Sequence, residues 1–137
     1  MITGVNHLTL AVADLERAFD FYVDVLGCQP VARWSNGAYL TAGDTWLALV
    51  LDPSTQPLER GTYSHIAFSC PRQDFGALVE ALRAAGCRAW SDNVTEGDSF
   101  YFQDSDGHQL EIHVGDLASR LAAMKQDPWD SFTFYED

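Results

Sequence analysis

The sequence has 137 residues, 47% of them hydrophobic and 20% charged, which is typical of one globular domain. Its formal net charge of −12 argues against binding to nucleic acid or to an anionic membrane, because such partners are held by clustered cations. No apolar run approaches the roughly 20 residues of a membrane-spanning helix, and the N-terminus lacks a signal-peptide pattern, so we expect a cytoplasmic protein.

The first 52 residues predict a strand, a helix and three further strands. In NHLTLAV, residues 6–12, apolar and polar side chains alternate with the period of a strand. A helix is predicted next, from a candidate N-cap at Asp14 to a left-handed end at Gly27, because apolar residues recur there at helical spacing. Three short strands are predicted at 29–35, 37–43 and 45–52.

The second half of the chain repeats this order. His65 precedes Gly86 by one residue more than His7 precedes Gly27, and the predicted helix of each half ends in Gly-Cys. Three strands follow again, at 88–92, 99–104 and 108–114. We therefore predict an α+β fold in which two paired βαβββ modules form a half-closed cup within a single domain, 1–137. Its parts are module one at 1–52, a linker at 53–62, module two at 63–114, and a C-terminal helix and tail at 115–137.

The three cysteines are Cys28, Cys70 and Cys87. Their number is odd, their surroundings are apolar and their spacing contains no CxxC pair. We expect them to be reduced packing residues, with a thiol nucleophile as the alternative.

Alternation along the strands predicts that polar side chains of both modules share one face of their sheets. Leu8 and Leu10 point towards the helices, so their neighbours point the other way. The same parity applies to the strands of module two. This polar face bears His7, Thr9, Tyr63, His65, Ser99, Tyr101 and Glu111.

Two histidines at matched positions and one carboxylate on this face predict a metal site. A buried polar group costs several kcal/mol unless it is paired or bound to a metal. His7, His65 and Glu111 have the composition of a facial triad, which leaves coordination positions open. The alternative is that each histidine only hydrogen-bonds a neighbour. His113 shares the parity of Glu111 and is expected behind the ligands or exposed, whereas His108 has the opposite parity and lies beside a turn.

Several segments resemble the fosfomycin-resistance glutathione transferases (FosA type) of the vicinal oxygen chelate superfamily. They are NHLTLAV, RW with GAYL, GDTWLAL, EGDSFYF, DGHQLEIHVGDL and SRLAA, and they span nearly the whole chain. The resemblance implies a domain-swapped homodimer in which modules pair across subunits. His7 of one chain would complete a Mn²⁺ site with His65 and Glu111 of the other, and other divalent metals remain possible.

The resemblance also implies roles for the residues around the metal. The expected substrates are a phosphonate epoxide and a thiol, glutathione. The expected catalytic residues are Thr9, Tyr39 and Tyr101. The expected substrate-binding residues are Trp46, Tyr63, Thr95, Ser99 and Arg120. A loop that binds an activating K⁺ is expected at 93–99, with Asn93, Glu96, Gly97 and Ser99. Without the resemblance, this loop could be a solvated turn and Arg120 a surface arginine with its stem on apolar residues.

The sequence departs from the family at two positions. Ser91 and Val94 stand where a lysine and an arginine are expected. Losing two cations should weaken the binding of a dianion, because charge-assisted hydrogen bonds are the strong ones. A related epoxide or a less anionic substrate is therefore an alternative to fosfomycin.

Other functions remain open at this point. One alternative is another metal enzyme, either a dioxygenase or an epoxide hydrolase with Asp44 as the base. The other is a metal-free dimer that sequesters a drug, for which the acidic composition would suit a cationic ligand.

Overall fold

Two modules follow each other along the chain in a computed structural model, which describes residues 1–56 and 61–135. Module one contains β1 (His7–Val12), α1 (Leu15–Asp20) with a π-helical turn (Phe21–Val25), β2 (Gln29–Trp34), β3 (Gly37–Ala42) and β4 (Thr45–Leu51). Module two contains β5 (Ile66–Ser69), α2 (Arg72–Ala84), β6 (Ala89–Ser91), β7 (Ser99–Gln103) and β8 (Gln109–His113), and α3 (Leu117–Gln126) follows. Part of the predicted linker, 57–60, lies outside the described residues. No helix in the described ranges is both long enough and apolar enough to cross a membrane.

Each module forms a mixed four-stranded sheet, which confirms the predicted α+β repeat. The strand orders are β1-β4-β3-β2 and β5-β8-β7-β6. In both sheets the first strand runs parallel to the last strand of its module, and the other pairs are antiparallel.

The strand registers align the two modules residue by residue. Ala48 lies between Thr9 and Tyr39 in the first sheet. In the second sheet Glu111 lies between Ala67 and Tyr101. Because partners in register point to the same side of a sheet, this alignment defines one polar face per module.

The first helix begins as predicted but is not regular throughout. The Asp14 side chain accepts a hydrogen bond from the Arg17 N–H at 3.0 Å, and Gly27 has a φ of 78° after the helix. Between them the helix widens, so that the Leu26 N–H donates to the Phe21 carbonyl at 3.1 Å, five residues back. The widened turn carries Tyr22, which is fully buried.

Buried and partly buried polar contacts join the two modules. The Tyr22 hydroxyl donates to Asp104 at 2.6 Å, and the backbone N–H of Ala13 donates to Asp106 at 2.9 Å. His108 Nε2 donates to the Ala11 carbonyl at 2.8 Å, so this histidine belongs to the joint between modules. Burial raises the pKa of Asp104 above the ordinary carboxyl value in spite of these donors.

The cysteines are packing residues, as expected. Cys28 and Cys70 are buried and Cys87 is half-buried, and all three are free thiols. Burial raises the pKa of Cys28 and of Cys87 to about 11, so neither thiol is ionised at neutral pH.

Candidate functional site

His65 and Glu111 meet on the polar face of module two. His65 Nε2 lies 2.9 Å from Glu111 Oε1, and the Glu111 side chain is only 6% exposed. His65 Nδ1 lies 2.7 Å from the Tyr63 carbonyl oxygen. A carbonyl only accepts, so Nδ1 carries a proton and the neutral ring presents a lone pair at Nε2. Two acceptor atoms then face each other, and a proton or a cation between them makes the contact favourable.

The second oxygen of Glu111 is held from behind. The Ser99 hydroxyl lies 2.6 Å from Glu111 Oε2 and also 2.6 Å from His113 Nδ1. His113 Nε2 faces Glu96 Oε1 at 3.5 Å, and Arg120 Nε donates to the same oxygen at 3.0 Å. A continuous row of polar contacts therefore runs from α3 to the carboxylate. His113 lies behind Glu111, one of the two positions expected for it.

Aromatic rings surround His65. The ring centroids of Tyr63, Trp90 and Tyr101 lie 5.0, 5.3 and 5.7 Å from that of His65. Burial raises the pKa of Tyr101, and contacts with Tyr63 and Glu111 raise it further, so its hydroxyl stays protonated and can donate. Trp90 was missed from the sequence because the register shifts between Ala89 and Ser91, and simple alternation does not assign its side.

His7 occupies the matching position on module one. Its Nδ1 lies 2.6 Å from the Asn6 side-chain oxygen, and its ring stacks on Trp46 with centroids 4.2 Å apart. Because that oxygen accepts, Nε2 of His7 also presents a lone pair in the neutral ring. Tyr39 lies edge-on to Trp46, with centroids 5.1 Å apart, and to Trp34, with centroids 4.8 Å apart. These three rings form an aromatic wall that runs away from His7.

The predicted triad is divided between the two modules. Within 1–56 and 61–135, no three His, Cys, Asp or Glu side chains gather as a metal cluster. One chain brings His65 and Glu111 together and holds His7 on the other sheet. Module one has Ala48 where module two has Glu111, so it offers one candidate ligand and module two offers two. Thr9 lies beside Ala48 in register and is exposed on the face of His7.

The predicted K⁺ loop is folded around Asn93. Its amide donates to the Gly97 carbonyl at 2.7 Å, and its side-chain oxygen accepts from the backbone N–H and hydroxyl of Thr95 at 3.2 and 3.3 Å. Glu96, another predicted loop ligand, is paired with Arg120. Arg120 was predicted to contact a phosphonate, and in this structure it contacts the Glu96 carboxylate, so its role stays a prediction.

The two departures from the family pattern lie in different settings. Ser91 pairs in register with Tyr101, next to Glu111 across the sheet. Val94 is 86% exposed in the loop. Only the change at Ser91 therefore removes a charge directly beside the polar face.

Comparisons with known proteins show the family of the chain. Residues 4–112 match the family described as the Glyoxalase/Bleomycin resistance protein/Dioxygenase superfamily. The glutathione transferase FosA of Serratia marcescens is 46% identical, with 100% of this chain and 99% of the relative covered. The metallothiol transferase FosB of Shouchella clausii is 42% identical, with 89% and 87% covered.

Solved structures of fosfomycin resistance proteins share the fold. FosX from Mesorhizobium loti matches with a TM-score of 0.74 at 34% identity, covering 88% of this chain and 99% of its own. A mutant FosX from Listeria monocytogenes, complexed with Mn(II) and 1S,2S-dihydroxypropylphosphonic acid, matches with a TM-score of 0.79 at 28% identity, covering 90% and 98%.

Proposed function

The chain belongs to the glyoxalase/bleomycin resistance protein/dioxygenase superfamily and, within it, to the family of FosA glutathione transferases. From this premise we propose that it is a metal-dependent glutathione transferase that opens the epoxide of fosfomycin or of a related phosphonate. The observation that carries the proposal is the 2.9 Å contact between His65 Nε2 and the buried Glu111 Oε1. We place the reaction in the cytoplasm, where a thiol cosubstrate is kept reduced.

The donor atoms on module two fit a divalent metal. Ligands at right angles around an ion, each about 2.1 Å away, lie about 3 Å apart, which is close to the observed separation of Nε2 and Oε1. Their chemistry, one imidazole and one carboxylate, suits Mn²⁺, the ion present in the FosX complex. Such an ion would supply Lewis acidity, which stabilises the negative charge that develops on the epoxide oxygen as the ring opens.

We propose that a second copy of the chain supplies the third ligand. His7 presents the same nitrogen as His65 but lies on the other sheet, and Ala48 provides no carboxylate beside it. A homodimer in which module one of one chain faces module two of the other would join His7 to His65 and Glu111. Two equivalent sites would then form per dimer.

The residues around the proposed metal have separate tasks. Tyr101 keeps its proton and donates a hydrogen bond to an oxygen of the substrate, and Thr9 does the same from module one. Trp46 and Tyr63 form apolar walls for the substrate, and Tyr39 lies on the aromatic wall where the thiol approaches. Donors that are already positioned need no reorganisation as charge develops, so they favour the transition state.

The loop and α3 bind the anionic end of the substrate in this proposal. Thr95 and Arg120 contact the phosphonate. Ser99 donates its single hydrogen to Glu111, so it contributes an oxygen lone pair to the loop that binds the activating K⁺, together with Asn93, Glu96 and Gly97. Because Glu96 pairs with Arg120 and Ser91 replaces a cation, we expect weaker phosphonate binding than the family pattern with its lysine would give.

The proposal is tested by titrating the metal-free protein with Mn²⁺, alone and with fosfomycin, using calorimetry. We expect tight Mn²⁺ binding that is lost in Glu111→Ala, and binding of fosfomycin only to the metal-loaded protein. Glutathione turnover would then be measured by the mass of the adduct. A protein that binds fosfomycin equally well without any metal would instead be the sequestering dimer.

Hydrolysis of the epoxide is the second candidate function. The FosX complex contains a phosphonate with two neighbouring hydroxyl groups, which is what addition of water to the epoxide of fosfomycin yields. Asp44, exposed in the turn between β3 and β4, is the candidate base. Incubation in H₂¹⁸O without thiol separates the two activities, because hydrolysis gives a diol that carries the heavy oxygen.

A further inference from the structure

The imidazole of His113 lies in a cradle that two glycines create. A Cβ added to Gly97 would lie 2.9 Å from His113 Cε1 and would also collide with the carbonyl oxygen of Val114. A Cβ added to Gly115 would lie 2.9 Å from His113 Nε2. Both glycines have positive φ values, 79° and 138°, which side chains rarely adopt. Both the backbone and the space around the ring are therefore adapted to this histidine.

The hydrogen bonds of the ring have a definite direction. The Ser99 hydroxyl has one hydrogen, and its oxygen lies 2.6 Å from both Glu111 Oε2 and His113 Nδ1. A carboxylate only accepts, so Ser99 donates to Glu111 and accepts from Nδ1–H. The ring thus fixes the rotation of the hydroxyl and, through it, one oxygen of Glu111.

The far side of the ring faces an oxygen that Arg120 binds. Nε2 lies 3.5 Å from Glu96 Oε1, which accepts a hydrogen bond from Arg120 Nε at 3.0 Å. The side chain of His113 is 13% exposed, so little water competes with these contacts. The sequence predicted only that His113 lies on the side of Glu111.

We propose that His113 is a positioning residue for Glu111. By holding the Ser99 hydroxyl on Oε2, it keeps Oε1 directed at His65 in the arrangement that a divalent cation needs. This inference rests on the proposed function, because it assigns Glu111 to the metal. Partners that orient a metal ligand from behind typically change metal affinity or activity by about 10- to 100-fold when removed.

The test compares two amide replacements that divide the ring between them. The amide nitrogen of His113→Asn occupies the place of Nδ1 and can still donate to Ser99. The amide of His113→Gln extends to the place of Nε2 and leaves Ser99 without its donor. Both variants remove the imidazole, so each is the matched control of the other. The measurements are the dissociation constant of Mn²⁺ by calorimetry and the melting temperature of the metal-free protein.

We expect His113→Gln to weaken Mn²⁺ binding about 10- to 100-fold and His113→Asn to restore it to within about threefold of the parent. Ser99→Ala should weaken Mn²⁺ binding as much as His113→Gln does. The double variant Ser99→Ala/His113→Gln should lose no more Mn²⁺ affinity than either single variant, because both changes break the same chain of contacts from His113 through Ser99 to Glu111. If His113→Gln does not fold, Ser99→Ala and His113→Asn still carry the comparison.

Equal Mn²⁺ affinity in the Asn and Gln variants would overturn the inference, whatever their melting temperatures. So would additive losses in the double variant. A parent protein that takes up no Mn²⁺ would overturn the proposed function itself, and this inference with it. A parent that binds Mn²⁺ alongside variants that bind it equally well would overturn the inference alone.

Discussion

Ala48 and Glu111 occupy the same position in the two modules, each on the last strand of its module and each beside a tyrosine of the neighbouring strand. A buried methyl group in one module therefore corresponds to a buried carboxylate in the other. This difference limits each pair of modules to one carboxylate and two histidines as candidate ligands. It also divides those ligands between the modules, from which the first two predictions follow.

Subunit exchange should restore a site that each variant alone lacks. We expect His7→Ala and Glu111→Ala each to lose Mn²⁺ binding, because each removes one of three ligands. After the two proteins are unfolded together and refolded, mixed dimers should contain one intact site and one site lacking both residues. Mn²⁺ titration and glutathione-dependent turnover of the mixture measure this recovery. If all ligands of a site came from one chain, the mixture would bind no Mn²⁺.

Ala48→Glu should add a fourth protein ligand to the proposed metal site. The new carboxylate would point to the same side as Thr9 and Tyr39, towards the proposed metal. We expect tighter Mn²⁺ binding and lower kcat, since the added ligand fills a position that the substrate needs. Ala48→Gln is the matched control, because its neutral amide has the same length. Equal Mn²⁺ affinity in the two variants would contradict the placement of Ala48 beside the metal.

Ser91→Lys should tighten the binding of the phosphonate. Ser91 pairs with Tyr101, so a lysine there reaches the anionic end of the substrate. A hydrogen bond to a charged group contributes about 1.5–3 kcal/mol, which corresponds to roughly 10- to 100-fold in the dissociation constant of fosfomycin. Val94→Lys is the control, because Val94 is mostly exposed and the added charge is screened by solvent. Equal gains at both positions would indicate general attraction by net charge.

Gly97→Ala should damage both the fold and the metal site. Gly43→Ala is the matched control, because Gly43 also has a positive φ, 58°, but an added Cβ meets nothing within 4 Å. The control should lose about 1–2 kcal/mol of unfolding free energy through backbone strain. Gly97→Ala should lose more and should also bind Mn²⁺ less tightly, because its Cβ displaces His113. Urea denaturation and Mn²⁺ titration measure the two effects, and identical behaviour of the two variants would refute the cradle.

The buried carboxyl between the modules should make stability fall as pH rises. Burial raises the pKa of Asp104 above the ordinary 3.8, so the folded state holds this proton more strongly than the unfolded state does. The resulting stabilisation is complete below 3.8 and is lost as pH rises through the raised pKa. Relative to Asp104→Asn, the parent should therefore lose unfolding free energy over this window, by at most about 1.4 kcal/mol per pH unit.

Urea denaturation from pH 4 to 8 checks this prediction, with Asp52→Asn as the control. Hydrogen bonds from Ser54 lower the pKa of Asp52, so its contribution to stability is lost as pH falls and should not decrease as pH rises from 4 to 8. The titratable groups around Asp104 are Tyr22, Cys87, Asp106 and His108. A difference between the parent and Asp104→Asn that stays constant with pH would contradict the raised pKa.

The sequence by itself determined the elements, their order and the side of β1, β5, β7 and β8 that carries polar groups. Alternation placed Glu111, Ser99 and Tyr101 on one face, and the spacing of His7 and His65 matched the two modules. These features are local, since strand period and turn chemistry depend on neighbouring residues. The helix that carries Tyr22 was not predicted correctly from local sequence, because its widened turn carries the tyrosine whose hydroxyl donates to Asp104, 82 residues away.

Only the tertiary structure decided which polar groups touch. Alternation predicts the side of a strand on which a side chain lies but not its distance from other groups, so it left His113 either behind the ligands or exposed. It did not predict the contact of Arg120 with Glu96 or that of Asp104 with Tyr22. Each of these contacts joins residues far apart in sequence, and each depends on how strands align in register and how loops return to the sheet. A buried polar group must find its partner in three dimensions, which the period of a strand does not encode.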